Sequence, residues 1–131
     1  MASYHMCCKV ISRGQGRSAT AAAAYRAAER IYDRRTGLEH DYERKRGVVR
    51  SEVLLPRDAP ERWLDRGELW NDVEIAERRC DSQVAREYEL ALPRELCRDE
   101  QFELARGWAE RELVSRGMCA DVCMHDRGDG N

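Results

Sequence analysis

Two stretches of alternating sequence place side chains that can do chemistry on one face of a strand. In "MCADVCMH", residues 118–125, alternation puts four such side chains on the same side: Cys119, Asp121, Cys123 and His125. In "QVAREYELALP", residues 83–93, Glu87 and Glu89 share a face about 7 Å apart. Carboxylates and imidazoles on one surface can bind a metal or move protons. Cross-strand ion pairs on a solvated sheet face explain the same pattern.

The first strand-like stretch, "YHMCCKVI" at residues 4–11, adds His5 and Lys9 to this set. If the three strands lie in one sheet, two acids, two histidines and a lysine share its polar face. A lone histidine at a strand end, such as His125, is usually a hydrogen-bonded bystander. It becomes a candidate ligand only when other ligands converge on it.

Tyr25 is a candidate for a different reason, which is its setting in "SATAAAAYR". It lies in a predicted helix after four alanines, and these small neighbours leave its hydroxyl room to approach a bulky partner. An aromatic residue at the edge of the core is the alternative interpretation. Four arginines nearby in sequence could hold phosphates: Arg13, Arg17, Arg26 and Arg30.

The composition is that of one globular domain, with 131 residues of which 42% are hydrophobic and 37% charged. The net charge of −2 conceals a division, since residues 1–50 carry 11 Lys and Arg against 5 Asp and Glu. This surplus predicts an anionic partner, although arginine-rich helices that pair with their own acids have the same composition. No apolar run approaches the ~18 residues of a membrane span, and no signal peptide is apparent. We therefore expect a cytoplasmic protein without a membrane partner.

Hydrophobic periodicity predicts three helices and five strands. The helices are expected at residues 18–33, with Ser18 as the N-cap, and at 60–79 and 98–116. The strands are expected at 4–11, in the two arms of a hairpin within 38–55 that turns near 45–47, at 83–93 and at 118–125. This order predicts an α+β domain with a largely antiparallel sheet, helices packed on one face and the polar face open.

The last residues, "DRGDGN", favour a hairpin turn, because Asp, Asn and Gly tolerate the positive φ values that such turns require. A hairpin needs a second strand, and none follows within these 131 residues. We therefore expect the sheet to lack the strand that should pair beside residues 118–125, which exposes an edge prone to association.

The chain also contains, in this order, the segments "YHMCCKVISRGQGRSATAAAAYRAAERIYDRRTG", "HDY", "SEVLLP", "LWNDVE", "QVAREYELALP" and "GMCADVCMHDRGDGN". Together they resemble plasmid mobilization relaxases of the MobA/MobL family, which are HUH-fold nicking enzymes. The resemblance runs along the whole chain. It implies that residues 1–131 are the N-terminal part of a relaxase catalytic domain with an HUH-like fold.

The resemblance implies a reaction for Tyr25. In that family a tyrosine of the first helix attacks single-stranded DNA at the origin of transfer, joins the 5′ phosphate and leaves a free 3′ hydroxyl. Glu87 is the expected second catalytic residue. Its carboxylate would orient a histidine that binds a metal, by accepting a hydrogen bond from the ring nitrogen that does not bind the metal. Glu89 and Asp121 are weaker candidates for that role. The residues expected to bind DNA are Lys9, Arg13, Arg17 and Arg26.

The resemblance also implies a divalent metal, Mg²⁺ or Mn²⁺, held by three histidines and polarising the scissile phosphate. His125 matches the first ligand. The other two belong to a Pro-His-x-His strand that would follow Asn131. One imidazole holds such an ion poorly, so we expect this chain to bind the metal weakly and to be nearly inactive in nicking. The implied partners are single-stranded plasmid DNA at the origin of transfer and accessory proteins of the relaxosome.

Two other functions fit the same sequence. The basic N-terminal half could bind single-stranded DNA without cutting it, and such binding would weaken steeply with salt because phosphate contacts release counterions. The chain could also be a remnant of a disrupted gene with no role of its own.

Overall fold

The computed structural model describes residues 6–126, which contain three helices and six strands. In chain order they are β1 (Met6–Ser12), α1 (Ala19–Ala27), β2 (Arg30–Tyr32), β3 (Glu39–Asp41), β4 (Val48–Leu54), α2 (Arg66–Ala76), β5 (Gln83–Leu90), α3 (Arg98–Glu112) and β6 (Ala120–His125). Short 3₁₀ helices occupy Arg13–Gln15, Glu61–Leu64 and Val114–Arg116. None of the helices in this range has the length and apolar character needed to cross a bilayer.

The strands of residues 6–126 form three antiparallel ladders of two strands each: β1 with β5, β2 with β3, and β4 with β6. Lys9 lies opposite Glu87 in the first ladder, and Val48 lies opposite His125 in the third. The predicted α+β class with antiparallel pairing is confirmed. Within the described residues β6 pairs with β4 alone.

Helix α1 is shorter than expected and ends at Ala27 instead of near residue 33. Ala28 adopts a left-handed conformation, with φ of 55°, and its N–H bonds back to the carbonyl of Ala24. The chain then turns directly into β2, where Ile31 is buried against α1. Helix propensity favoured continuation, but burial of Ile31 and pairing of β2 with β3 outweigh it.

The hairpin expected within residues 38–55 is replaced by a different one. Strand β3 pairs back with β2, whereas β4 pairs with β6. Asp33 forms the turn, because one carboxylate oxygen accepts the backbone N–H groups of Arg35 and Thr36. Gly37, with φ of 76°, supplies the left-handed position that closes the turn. The sequence DRRTG at 33–37 therefore sets the register of β2 and β3.

Helix α2 begins later than expected, at Arg66, because Asp65 is its N-cap. The Asp65 carboxylate accepts the backbone N–H of Glu68, which satisfies one of the free donors of the first turn. The preceding residues Glu61–Leu64 form the separate 3₁₀ helix.

Helices lie against both faces of the sheet strands, where we expected them on one face. Successive residues of β5 show this, since Glu87 faces Arg26 of α1 and Tyr88 packs on Trp108 of α3, with ring centroids 5.3 Å apart. Leu54 and Ala120 form a second apolar core with α3. The strand face that carries Glu87 and Asp121 was expected to be open. Instead, Arg26 of α1 pairs with Glu87 and Arg66 of α2 pairs with Asp121, so these helices lie over part of that face.

Candidate active site

The sequence of α1 gives this helix two unlike sides. Ser18 caps its first turn by accepting the N–H of Ala21 at 3.2 Å. The small residues that let α1 pack closely are buried: Ala19, Ala23, Ala24 and Ala27. The other side carries Tyr25, which is 51% exposed and so lies outside the apolar interior.

The last carbonyls of α1 bring His125 beside Tyr25. The carbonyl oxygen of Tyr25 accepts a hydrogen bond from Lys45 Nζ at 2.8 Å. The next carbonyl, that of Arg26, lies 2.8 Å from His125 Nε2. Since a carbonyl only accepts, Nε2 carries the ring proton in this contact, and in the neutral ring the lone pair is on Nδ1. Both partners are basic side chains, which suit the negative end of the helix dipole. His125 thus contacts the main chain of Arg26, the residue that follows Tyr25 in α1.

Glu87 lies on β5, in the ladder with β1, and is only 9% exposed. It accepts from Arg26 Nε at 3.0 Å and from Arg26 Nη2 through the other oxygen, and Arg17 Nη2 lies 3.4 Å away. Burial raises the pKa of this carboxyl, but the hydrogen bonds and charges of Arg26 and Arg17 lower it below its ordinary value overall. Arg26 contacts both Glu87 and His125, since its guanidinium binds the Glu87 carboxylate and its carbonyl oxygen lies 2.8 Å from His125 Nε2. The expected orienting role of Glu87 towards His125 stays a prediction.

Three of the basic residues expected to bind DNA lie at this surface. Lys9 is exposed on β1 directly opposite Glu87. The side chains of Arg17 and Arg26 are 41% and 29% exposed, so part of each guanidinium faces solvent beside the carboxylate. A phosphate could approach these groups without unfolding the site.

Arg13, the fourth, is turned inward. Its side chain is 7% exposed and binds the carboxylate of Glu74 on α2, which is fully buried. It also donates to the carbonyl oxygens of Glu74, Glu77 and Arg79. These bonds occupy the guanidinium, so Arg13 has a structural role here, and its expected contact with DNA stays a prediction.

The weaker candidates, Asp121 and Glu89, both lie beside arginines. Asp121 is bound by Arg66 Nε at 2.7 Å and by the Trp70 indole N–H at 2.9 Å. Glu89 is 57% exposed and lies 4.0 Å from Arg26 Nη2. Burial, followed by the charge of Asp121, raises the pKa of the Cys123 thiol to about 12, so this thiol stays protonated at neutral pH.

The described residues do not form a metal centre by themselves. Across residues 6–126 no group of three or more His, Cys, Asp or Glu side chains has an arrangement that could hold an ion. His125 offers one imidazole, whereas His40 lies beside Asp33 on the β2–β3 hairpin. His5, the other histidine, lies outside the described residues.

Sequence reasoning missed four residues around α1. Tyr42 and Lys45 contact Tyr25, and the interval of 17 to 20 residues between them carries no periodic signal. Glu74 and Arg66 are buried ionic residues of α2. Their positions were a usable signal, because both fall at helical spacing with the apolar stripe that contains Leu69, Trp70 and Val73.

Comparison with solved structures gives the class of fold. A chain solved in work on the molecular basis of vancomycin resistance transfer in Staphylococcus aureus has a TM-score of 0.92 to this structure and 40% sequence identity. The match covers 98% of this chain and 65% of that chain. The fold is therefore of the relaxase type.

Comparison with protein families matches residues 17–131 to the MobA/MobL family, and the chain belongs to that family. It is 51% identical over 126 residues to mobilization protein MobL of Acidithiobacillus ferridurans, and 37% identical over 137 residues to conjugal transfer protein TraA of Agrobacterium fabrum. The matches cover 95% and 96% of this chain, but the chain spans only 32% and 12% of these relatives. The predicted family is confirmed.

Proposed function

We propose that this chain carries the nucleophile of a DNA relaxase, and that Tyr25 attacks one phosphodiester of single-stranded DNA at an origin of transfer. The observation that carries the proposal is the position of Tyr25. Tyr25 is half exposed in the last turn of α1, and the carbonyl of the next residue, Arg26, binds His125. The Arg26 and Arg17 side chains bind Glu87, which lies opposite Lys9.

The proposed reaction exchanges one phosphate ester for another. The Tyr25 oxygen bonds to phosphorus and loses its proton, while the bond from phosphorus to the 3′ oxygen breaks and that oxygen takes up a proton. The products are a 5′-phosphotyrosyl protein and a free 3′ hydroxyl. Because the ester bond is conserved, the strand can be rejoined later.

Arg26 and Arg17 are the groups that we propose for the phosphate. A guanidinium presents several donors to phosphate oxygens and neutralises the charge that grows on them during attack. Glu87 holds both arginines on this surface, so its proposed role is to position them. Lys9 would contact the DNA backbone further along β1.

A divalent cation is a proposal for a site completed by groups outside residues 6–126, to which His125 would contribute one nitrogen. Because the described residues do not make such a site, none of the steps above passes through a metal. We also propose that the chain acts on plasmid DNA in the cytoplasm, together with relaxosome accessory proteins.

The test compares the 131-residue chain with a version extended by a strand of sequence Pro-His-x-His. Both are incubated with Mg²⁺ or Mn²⁺ and with 3′-labelled single-stranded oligonucleotides that tile the DNA adjoining the coding sequence. Attack by tyrosine leaves the labelled fragment on the protein, which then migrates as a labelled band on a denaturing gel. We expect a strong band from the extended chain and a weak one from the chain alone.

Substitutions identify the nucleophile in the same assay. Tyr25→Phe should remove the labelled band, whereas Tyr32→Phe, at another half-exposed tyrosine, should keep it. A labelled band that persists in Tyr25→Phe refutes the assignment of Tyr25 as the nucleophile. If the 131-residue chain cleaves as fast as the extended one, the ligand role of His125 in a three-histidine site is wrong.

Binding without cleavage is the second candidate function, and the lack of a complete metal centre within residues 6–126 favours it. Its signature is single-stranded DNA affinity that falls steeply with salt and no labelled protein band from either version of the chain.

A further inference from the structure

Two residues outside α1 hold the ring of Tyr25. Lys45 Nζ lies 3.8 Å from the centroid of this ring, on its face. Tyr42 packs against the same ring edge-on, with centroids 5.3 Å apart and an interplanar angle of 90°. The ring therefore has a cation on one face and an aromatic neighbour at the favoured perpendicular geometry, although half of its surface is open to solvent.

Lys45 also fixes the backbone from which the ring projects. Its ammonium group donates to the Tyr25 carbonyl at 2.8 Å. That carbonyl belongs to the last turn of α1, where the helix has no further N–H to offer it, because the N–H of Glu29 bonds instead to Ala24. One side chain thus contacts both the ring and the main chain of the same residue.

The segment that supplies these contacts, residues 42–47, is attached at both ends to the site. At its start, the Tyr42 N–H donates to the carbonyl of Glu29, just after α1, at 3.1 Å. At its end, the carbonyl of Gly47 accepts the N–H of Asp126, the residue after His125, at 2.7 Å. Gly47 has φ of 102°, and a Cβ there would lie 3.2 Å from the Asp126 carbonyl oxygen. The segment is therefore closely fitted between the end of α1 and the end of β6.

We propose that Tyr42 and Lys45 are positioning residues that clamp the Tyr25 ring and so fix the direction of its hydroxyl. The consequence for cleavage rests on the proposed role of Tyr25 as the nucleophile. A tyrosine on a helix surface ordinarily samples several rotamers, and only one of them can align the oxygen with phosphorus. A clamp removes that search before DNA binds. The ammonium over the ring also contributes a cation–π contact that holds the ring in place.

The clamp is tested first by NMR of the tyrosine rings in the 131-residue chain, with Tyr25 signals assigned by their loss in Tyr25→Phe. Lys45→Met and Tyr42→Leu should change the chemical shifts of the Tyr25 ring. They should also average the chemical shifts of the protons on the two sides of that ring. Lys45→Arg keeps a cation over the ring and should leave them near their original positions. Arg44→Met is the matched control, since it removes an exposed neighbouring cation of the same segment.

The consequence for reaction is tested in the extended chain under single-turnover conditions. Lys45→Met and Tyr42→Leu should slow formation of the labelled band by about tenfold or more, because misplaced reacting atoms lose orientation. The affinity for DNA should change little, and Lys45→Arg should recover most of the rate. A structural defect alone would lower affinity and rate together and would not be rescued in this way.

The outcomes distinguish failure of the proposed clamp from failure of the proposed role of Tyr25 as the nucleophile. Unchanged Tyr25 signals in Lys45→Met and Tyr42→Leu overturn the clamp, whatever the cleavage rate. Shifted signals with an unchanged rate overturn the positioning role. If the effect of Lys45→Met is confined to affinity, with the salt slope reduced by about one, Lys45 is a phosphate-binding residue and the proposal fails. Shifted signals with no labelled band from any version uphold the clamp and reject the nucleophile.

Discussion

Glu74 and Glu87 each bind two arginines beneath α1, yet the two clusters differ in how they meet solvent. At the N-terminal end of α1, Glu74 is fully buried, and its Oε1 accepts the N–H of Ala19 at 2.6 Å. Arg13 and Arg35 bind its other oxygen. Glu87 is held by Arg26 in the last turn of α1 and by Arg17, which precedes the helix, and the side chains of both arginines reach solvent.

An arginine–glutamate cluster that is buried stabilises the fold, whereas one that is exposed keeps its charged groups available to a ligand. In the Glu74 cluster the carboxylate is fully buried and the donors of Arg13 are also directed at three main-chain carbonyls, whereas Arg35 is 38% exposed. In the Glu87 cluster the arginines are oriented by the carboxylate but remain accessible. The N-terminal end of α1 is therefore an anchor, and the arginines bound to Glu87 remain accessible to an anionic ligand.

The largest effect is expected at the anchor. Glu74→Ala leaves buried arginine charge uncompensated and removes the acceptor of the Ala19 N–H, so it should lower the free energy of unfolding by about 3–5 kcal/mol. Urea denaturation measures this loss. Glu77→Ala, at an exposed position just beyond α2, is the matched control and should stay within about 0.5 kcal/mol of the parent chain. Equal losses in the two variants would erase the distinction between anchor and surface.

A smaller loss of stability is expected at the open cluster. Glu87→Gln keeps the shape and loses the charge, and it should lower the free energy of unfolding by about 1–2 kcal/mol, because Arg17 and Arg26 can be hydrated in its place. In the extended chain it should also slow cleavage about tenfold or more, by loosening the arginines.

The contribution of Glu87 to the free energy of unfolding should depend on pH. The pKa of Glu87 is lowered in the fold, so its charge contributes stability above the ordinary glutamate value, and this contribution is lost as pH falls through the lowered value. The difference in unfolding free energy between the parent chain and Glu87→Gln should be constant near neutral pH and shrink on acidification. Urea titrations at several pH values measure it, and a difference that grows in acid contradicts the assignment.

The smallest effect concerns the end of α1 itself. Ala28 has φ of 55°, which costs a residue with a Cβ about 1 kcal/mol, so Ala28→Gly should raise the free energy of unfolding by about that amount. Ala27→Gly, one residue earlier in the helix, should lower it by about 1 kcal/mol. Thermal and urea unfolding of both variants check the pair. A loss in Ala28→Gly would show that the methyl group contributes more by packing than it costs in backbone strain.

Elements with a local signature could be predicted from the sequence. Helix α3 begins at Arg98 as expected, and Gly117 ends the segment that follows it with φ of 90°. The end of α1 could not be predicted, because Ala28 has high helix propensity and only the distant pairing of β2 makes the left-handed conformation worthwhile. The same limit explains the misplaced hairpin, since β4 finds its partner in β6, about 70 residues away.

The candidate site shows the same division. The exposure of Tyr25 decides between the two interpretations that its sequence left open, and Arg26 contacts both Glu87 and His125. The proposed roles of these residues stay predictions. The inward turn of Arg13 was not readable, because its partner Glu74 is 61 residues away. The contacts of Tyr42 and Lys45 with Tyr25 depend on the path of segment 42–47, which tertiary packing sets.

The anchoring of α1 has a mechanical consequence. A strand joined covalently to Tyr25 would pull on a helix of nine residues, about 13 Å long, whose far end is tied by Glu74 to α2. Tension along that strand would be borne by a buried ion-pair cluster and not by the exposed turn that holds the tyrosine. If Tyr25 forms the proposed bond to DNA, the load would be carried into the interior, away from the clamped ring.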